Sequence, residues 1–172
     1  MRHFFPALLL LASASHAQSW QQLPDFPGTA RDDASVFVIG SDVYVGNGRD
    51  VNFGLTNDWY RYDAVNVDWQ QVASLPASAR QYCTTFSIDD TGYLFGGSDD
   101  VNLTAELWAY DPTSNTWSAK TSLPAAGRSS SASFVIDGEA YIVLGRYGPD
   151  DAITDECWRY DAASDTWEQR AS

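Results

Sequence analysis

Histidine is almost absent from this 172-residue chain: its two copies, His3 and His16, both fall within the first 16 residues. Beyond them the chain cannot build a histidine triad, a His-ligated zinc or copper site, or a His proton shuttle. Lysine is reduced to Lys120, and ten basic residues face 23 acidic ones. Such a surface repels a phosphate backbone, which excludes nucleic acid as a partner. Cysteine occurs twice, as Cys83 and Cys157. In an exported chain they either bridge or remain buried thiols, and the second reading is preferred. After the first 17 residues no stretch is apolar enough to span a membrane. No segment sustains a 3.6-residue period, so no helix is expected there.

The N-terminal residues have a different character. Arg2 provides a charged start, Phe4 to Ala12 is a short apolar run, and Ser15-His16-Ala17 is a small-x-small cleavage site. This pattern reads as a cleavable secretory signal peptide over residues 1–17, which is too short for a permanent anchor. The alternative is a hydrophobic N-terminal strand. No cysteine stands at the cleavage site, which argues against a lipoprotein. The mature chain then begins near Gln18 and is secreted or periplasmic. It has 155 residues, with nine basic against 23 acidic side chains and a net charge of −14.

What remains is dominated by a repeat of 48 to 50 residues, a period that signals a repeat architecture. From Arg31, Arg80 and Arg128 the offsets are the same to Phe37, Phe86 and Phe134, and to Ile39, Ile88 and Ile136. They are the same again to Tyr44, Tyr93 and Tyr141, and to Gly48, Gly97 and Gly145. A stretch of variable length follows. The next fixed block is Tyr62-Asp63, Tyr110-Asp111 and Tyr160-Asp161, each followed six residues after the Asp by Trp69, Trp117 or Trp167. The run from Trp20 through Phe26-Pro27 to Arg31 matches Trp69, Leu75-Pro76, Arg80 and Trp117, Leu123-Pro124, Arg128. The mature chain therefore starts in the last quarter of a unit.

Each unit reads as four antiparallel strands. Phe and Ile two apart point to one face of the first strand, while small residues such as Ser35, Thr84 and Ser133 suit an axis crowded by strands. The repeat Gly follows the second strand, where backbone turns or approaches closely. Paired aromatics share a face of the third strand and suit packing against a neighbouring sheet. Asp63, Asp111 and Asp161 open the next turn by accepting its amides. One such sheet has two apolar faces and too little core of its own, and radial stacking buries both. The expected fold is all-β: three four-stranded blades at 32–79, 80–127 and 128–172, plus an extra N-terminal outer strand and loop over 18–31. Together these make an incomplete β-propeller.

Gly96-Gly97, the Tyr-Asp pairs and the Trp six residues later resemble the kelch repeat, and Phe26 to Arg31 resembles exported bacterial kelch proteins. The resemblance covers residues 20–172. It departs at Asn47 and Leu144, which replace the first glycine, and at Tyr60, where the other units have Trp108 and Trp158. A closed propeller needs about four to eight blades. Three arrangements are open: the front half of a longer reading frame, which is favoured; two chains forming a six-bladed ring; or an open three-blade arc. An open arc leaves apolar faces in water and predicts self-association.

In kelch propellers the loops entering each first strand line one mouth of the central channel. The resemblance thus implies a ligand site around Arg31, Arg80 and Arg128, with Asp33, Tyr82 and Ser130 two residues on. The competing reading, preferred for the arginines, is that they bond loop carbonyls between blades. The variable loops carry Asp99, Asp100, Asp150 and Asp151, which are weak calcium candidates without the twelve-residue loop spacing. Solvated acidic loops are the preferred reading, and no cofactor is expected. Phe53, Trp59 and Tyr147 lie outside the repeat consensus and are candidates for stacking on a ligand.

The expected function is an exported binding or scaffold module for a protein or carbohydrate ligand. The alternative is a piece of a kelch-type carbohydrate enzyme. The resemblance extends to the copper oxidase of galactose, whose histidine ligands this chain lacks after residue 16. It extends also to an exported mutarotase of sialic acid, which needs only charged groups at the channel mouth; no residue-by-residue motif carries over.

Overall fold

The computed structural model describes residues 20–150 and 152–170. The segment read as a signal peptide, residues 1–17, lies outside them. Every regular element among the described residues is a β-strand.

Three four-stranded antiparallel sheets follow one another along the chain. Blade 1 is Ser35–Ile39, Asp42–Gly46, Trp59–Asp63 and Asp68–Val72. Blade 2 is Thr84–Ile88, Thr91–Phe95, Leu107–Asp111 and Thr116–Lys120. Blade 3 is Ala132–Ile136, Glu139–Val143, Cys157–Asp161 and Thr166–Arg170. Within each blade the register is conserved: Phe37 faces Tyr44, Phe86 faces Tyr93 and Phe134 faces Tyr141. Cross-strand aromatic pairs are a main source of sheet stability, and all three pairs are stacked. The fourth strands begin one residue before Trp69, Trp117 and Trp167.

The core is made of seams between blades. One cluster joins Phe37, Ile39, Tyr44, Trp59 and Leu75 of blade 1 to Leu94 and Tyr110 of blade 2. The other joins Phe86, Ile88, Tyr93 and Leu107 of blade 2 to Ala140, Ile142, Trp158 and Tyr160 of blade 3. Each seam is pinned at its outer edge by an indole. Trp117 Nε1 donates to the Ala73 carbonyl at 2.9 Å, and Trp167 Nε1 donates to that of Thr121 at 2.7 Å. At the inner edge small first-strand residues cross-link the blades: the Thr85 hydroxyl donates to Val36 O, and Ser133 Oγ donates to Thr85 O at 2.7 Å. A bulky side chain at either position would push the axis open, which is the physical reason for small residues there.

The repeat glycine is required twice over. Gly48, Gly97 and Gly145 have φ of 100°, 100° and 108°, in the left-handed region that favours glycine. A Cβ at Gly48 would also stand 2.4 Å from Asp32 O. The amides at this position tie blades together, with Gly48 N donating to Arg80 O and Gly97 N to Arg128 O, both at 2.9 Å.

The expected N-terminal outer strand is not formed in its described part. Residues 20–30 pair with no strand, and Trp20 is fully exposed. Each blade supplies its own fourth strand, so no strand position is left for this segment. It docks through Pro24 and Phe26 instead. Trp69 Nε1 donates to Pro24 O at 3.1 Å, and the Phe26 ring lies edge-on to Tyr60 and Trp69. Pro24 and Phe26 thus stand on blade 1 as Ala73 and Leu75 stand on blade 2.

Candidate functional site

The three repeat arginines sit where the chain enters each blade, and the structure turns them inward. Arg80 and Arg128 are 1% and 2% exposed. Each arginine pairs with a carboxylate just before its blade's third strand. Arg31 Nη1 lies 2.6 Å from Asp58 Oδ1, and Arg80 and Arg128 Nη2 lie 2.7 Å from Glu106 and Glu156 Oε2. The same carboxylates accept the Trp108 and Trp158 indoles at 3.1 and 2.8 Å. Arg31 and Arg80 also donate to the carbonyls of Thr29 and Ser78, two residues back. These are folding clamps between the entry loop and each arginine's own blade; the buried guanidiniums do not line the mouth as the ligand reading of Arg31, Arg80 and Arg128 expected. A buried guanidinium must be neutralised and hydrogen-bonded, and this repeat carries the partner with it.

The carboxylates feel the pairing. The Arg31 hydrogen bond is the main reason that Asp58 titrates below the ordinary range. For Glu156 the Arg128 hydrogen bond leads, followed by that of Trp158. For Glu106 burial pushes upward most strongly, but the Trp108 and Arg80 bonds together outweigh it and its pKa is lowered. Asp63, Asp111 and Asp161 are lowered by the turns they open, led respectively by the Asn66 amide and the Ser114 and Ser164 hydroxyls.

Two residues past each arginine, Asp33, Tyr82 and Ser130 share one backbone conformation, with φ of 51°, 57° and 54°. Non-glycine residues seldom hold this conformation, and it leaves all three exposed at one end of the blades. Interaction with the Asp33 carboxylate, hydrogen bonding first and charge second, raises the pKa of the Tyr82 phenol. Tyr82 and Ser130 come together with Ser98, Leu103, Ser129 and Arg146 around a cavity of about 420 Å³ between blades 2 and 3. A second cavity of about 440 Å³ adjoins it, shares Ser98 and Leu103, and reaches Asn102 and Pro149. Both volumes fall in the range of small-ligand sites.

Arg49, Ser98 and Arg146 directly follow the repeat glycines, and sequence reasoning did not single them out. The signal was available, because the glycine offsets align them. Arg49 is held by the carboxylate of Asp100, by Gln81 Oε1 at 3.0 Å and by Phe53 O at 2.7 Å. It therefore bridges the loops of blades 1 and 2.

Of the calcium candidates, Asp99 and Asp100 are otherwise engaged. Asp99 Oδ1 accepts the amides of Val101 and Asn102, Asp100 pairs with Arg49, and Asp150 is exposed on another blade's loop. Asp151 lies outside the described residues. Among the described residues no three His, Cys, Asp or Glu side chains group as a metal site. Cys83 and Cys157 are free, and burial pushes the Cys83 thiol up to about 11. Of the three aromatics outside the consensus, Trp59 is buried, donating to Asn47 Oδ1 at 2.6 Å, because it fills the seam position that Leu107 fills in blade 2. Phe53 and Tyr147 are exposed on the loop end, alongside Val51, Val101 and Ile153. The loop end thus combines polar cavities with apolar loop tips. Among the described residues no helix is long and apolar enough to cross a membrane.

Comparison with known proteins agrees with this architecture. No curated protein sequence matches the chain. A solved structure titled "Structure of YjhT", a kelch-type propeller, superposes with a TM-score of 0.73 at 20% identity. The match covers 86% of this chain and 53% of that one, so this chain spans about half the length of that protein. The family model for the KLHDC2/KLHL20/DRC7 Kelch-repeats domain matches residues 7–171. Blades, spacing and seams together place the chain in that kelch-repeat family.

Proposed function

We propose that the chain is an exported binding module that holds a protein or carbohydrate ligand on its loop end. The observation that carries this reading is the cavity where Tyr82, Ser130 and Arg146 meet, two of them at repeat-equivalent positions that differ in chemistry between blades. A conserved scaffold with variable side chains at one end is how repeat proteins present a binding surface. The exposed tips Phe53, Val101 and Ile153 add apolar contact area of the kind that marks interaction sites. These tips favour a protein ligand over a free sugar. The signal-like N-terminus supports export to the periplasm or beyond. The open face of blade 3 makes a second copy of the chain a further partner.

The test is a screen of the mature chain against a glycan array and a displayed peptide library, followed by titration of the best binder. Tyr82→Ala is expected to weaken that binder about tenfold, the equivalent of about 1.4 kcal/mol. Unchanged affinity in Tyr82→Ala would remove the site from this cavity. Faster anomeric exchange of sialic acid by NMR in the presence of the chain would replace the binding reading with the enzymatic one.

A further inference from the structure

Blades 1 and 2 bury their front faces and blade 3 does not. Phe37 and Phe86 are 4% and 6% exposed, whereas the equivalent Phe134 is 44% exposed. Ile39 and Ile88 are buried, and the equivalent Ile136 is 53% exposed. The face is nevertheless fully formed. Phe134 stacks on Tyr141 at 5.1 Å and 8°, matching Phe86 on Tyr93 at 4.9 Å and 7°. Blade 3 therefore holds a finished half of a seam.

The two seams within the chain show what fits that half. Each front face meets the back of the next blade: Phe37 lies over Gly92, where an added Cβ would come within 2.2 Å of its ring, and 6.1 Å from the rings of Tyr110 and Trp117. Among the described residues one blade back, that of blade 1, is covered by no blade front. Its first strand presents Val36 and Val38, both half exposed, where blades 2 and 3 have Thr85, Ser87, Ser133 and Val135. Tyr62 and Trp69 stand behind them as Tyr110 and Trp117 do in blade 2. The outer edge of this back is already closed by Pro24 and Phe26, so the vacancy is the inner, apolar part. Val43 is larger than Gly92 and Ala140 at the receiving position, which makes the fit poorer at that point.

We infer that the front of blade 3 docks on the back of blade 1 in a second copy of the chain, and that the reciprocal contact closes a six-bladed ring of two chains. Front-to-back contacts either close or run on into filaments. Closure at two follows from blade number: three blades fall short of the about four to eight that a closed propeller needs, and two copies supply six.

The experiment is light scattering on the mature chain after size exclusion, at about 50 µM, because assembly depends on concentration. The expected mass is twice that of one chain. Ile136→Asp and Val38→Asp alter opposite faces at half-exposed positions, so each is expected to fold and to run as a single chain. Mixing the two variants leaves one seam intact and is expected to restore a two-chain species. Val101→Asp, on an exposed loop tip away from both faces, is expected to stay paired. A single-chain mass for the unaltered protein overturns the inference, whether the face is covered by further blades of a longer polypeptide or by nothing. Larger open assemblies, a paired Ile136→Asp, or a mixture that stays single also overturn it.

Discussion

Phenylalanine to alanine at three repeat-equivalent positions separates the energy of a blade from the energy of a seam. Phe37, Phe86 and Phe134 share strand position, cross-strand partner and stacked tyrosine, so their local environments cancel in the comparison. Apart from the Trp59 ring that also stacks on Phe37, the neighbouring blade is the main difference. Removing a buried phenylalanine costs about 3–5 kcal/mol, from lost transfer energy plus the cavity left behind. Phe37→Ala and Phe86→Ala should fall in that range. Phe134 has already left nearly half its surface in water, and its loss opens no closed cavity, so Phe134→Ala should cost about 1–2 kcal/mol, much of it the Tyr141 stack. The assay is urea unfolding followed by tryptophan fluorescence, at about 1 µM to keep chains apart. Three equal costs would refute the reasoning, because they would mean that strand packing within a blade, and not the seam, sets stability. Repeating the series at higher concentration should raise the cost of Phe134→Ala alone.

Other perturbations probe separate parts of the structure. Gly92→Ala should destabilise by about 1–3 kcal/mol, read as a lower melting temperature, because the new methyl would overlap the Phe37 ring, held between Tyr44 and Trp59. Stability should fall in acid. Asp58, Glu106 and Glu156 have folded pKa values below their unfolded ones, so their contribution is complete above about pH 4–5 and is lost as pH drops through the lower folded values. Glu106→Gln, which keeps an acceptor for the Trp108 indole, should cost about 1 kcal/mol at neutral pH, with the gap to wild type closing in acid; a gap that persists below pH 3 would assign Glu106 a purely steric role. Millimolar calcium should leave the melting temperature unchanged, since Asp99 and Asp100 are committed to loop amides and Arg49; a rise of several degrees, or heat in calorimetry, would contradict that.

The strands and the blade count were legible because they rest on short-range regularities: Phe and Ile two apart, aromatic pairs, an Asp that caps its own turn, a glycine where the backbone turns or approaches closely. Such features repeat because each blade solves the same local problem. The roles of Arg31, Arg80 and Arg128 were not decided at that level. An arginine before a strand can face a ligand or a core, and the outcome depends on a carboxylate 26 to 28 residues away that the fold brings within 2.7 Å. Trp59 looked like a spare aromatic until the seam buried it, and Trp20 looked like a strand until no partner strand received it. The loop cavity also belongs to tertiary structure, since Tyr82, Ser98, Ser130 and Arg146 lie in separate segments that meet only when two blades turn about a common axis. Sequence alone determined what each blade is, because a blade is made by neighbours in the chain. Tertiary structure alone decided which faces are buried and which remain open, because burial depends on what packs alongside.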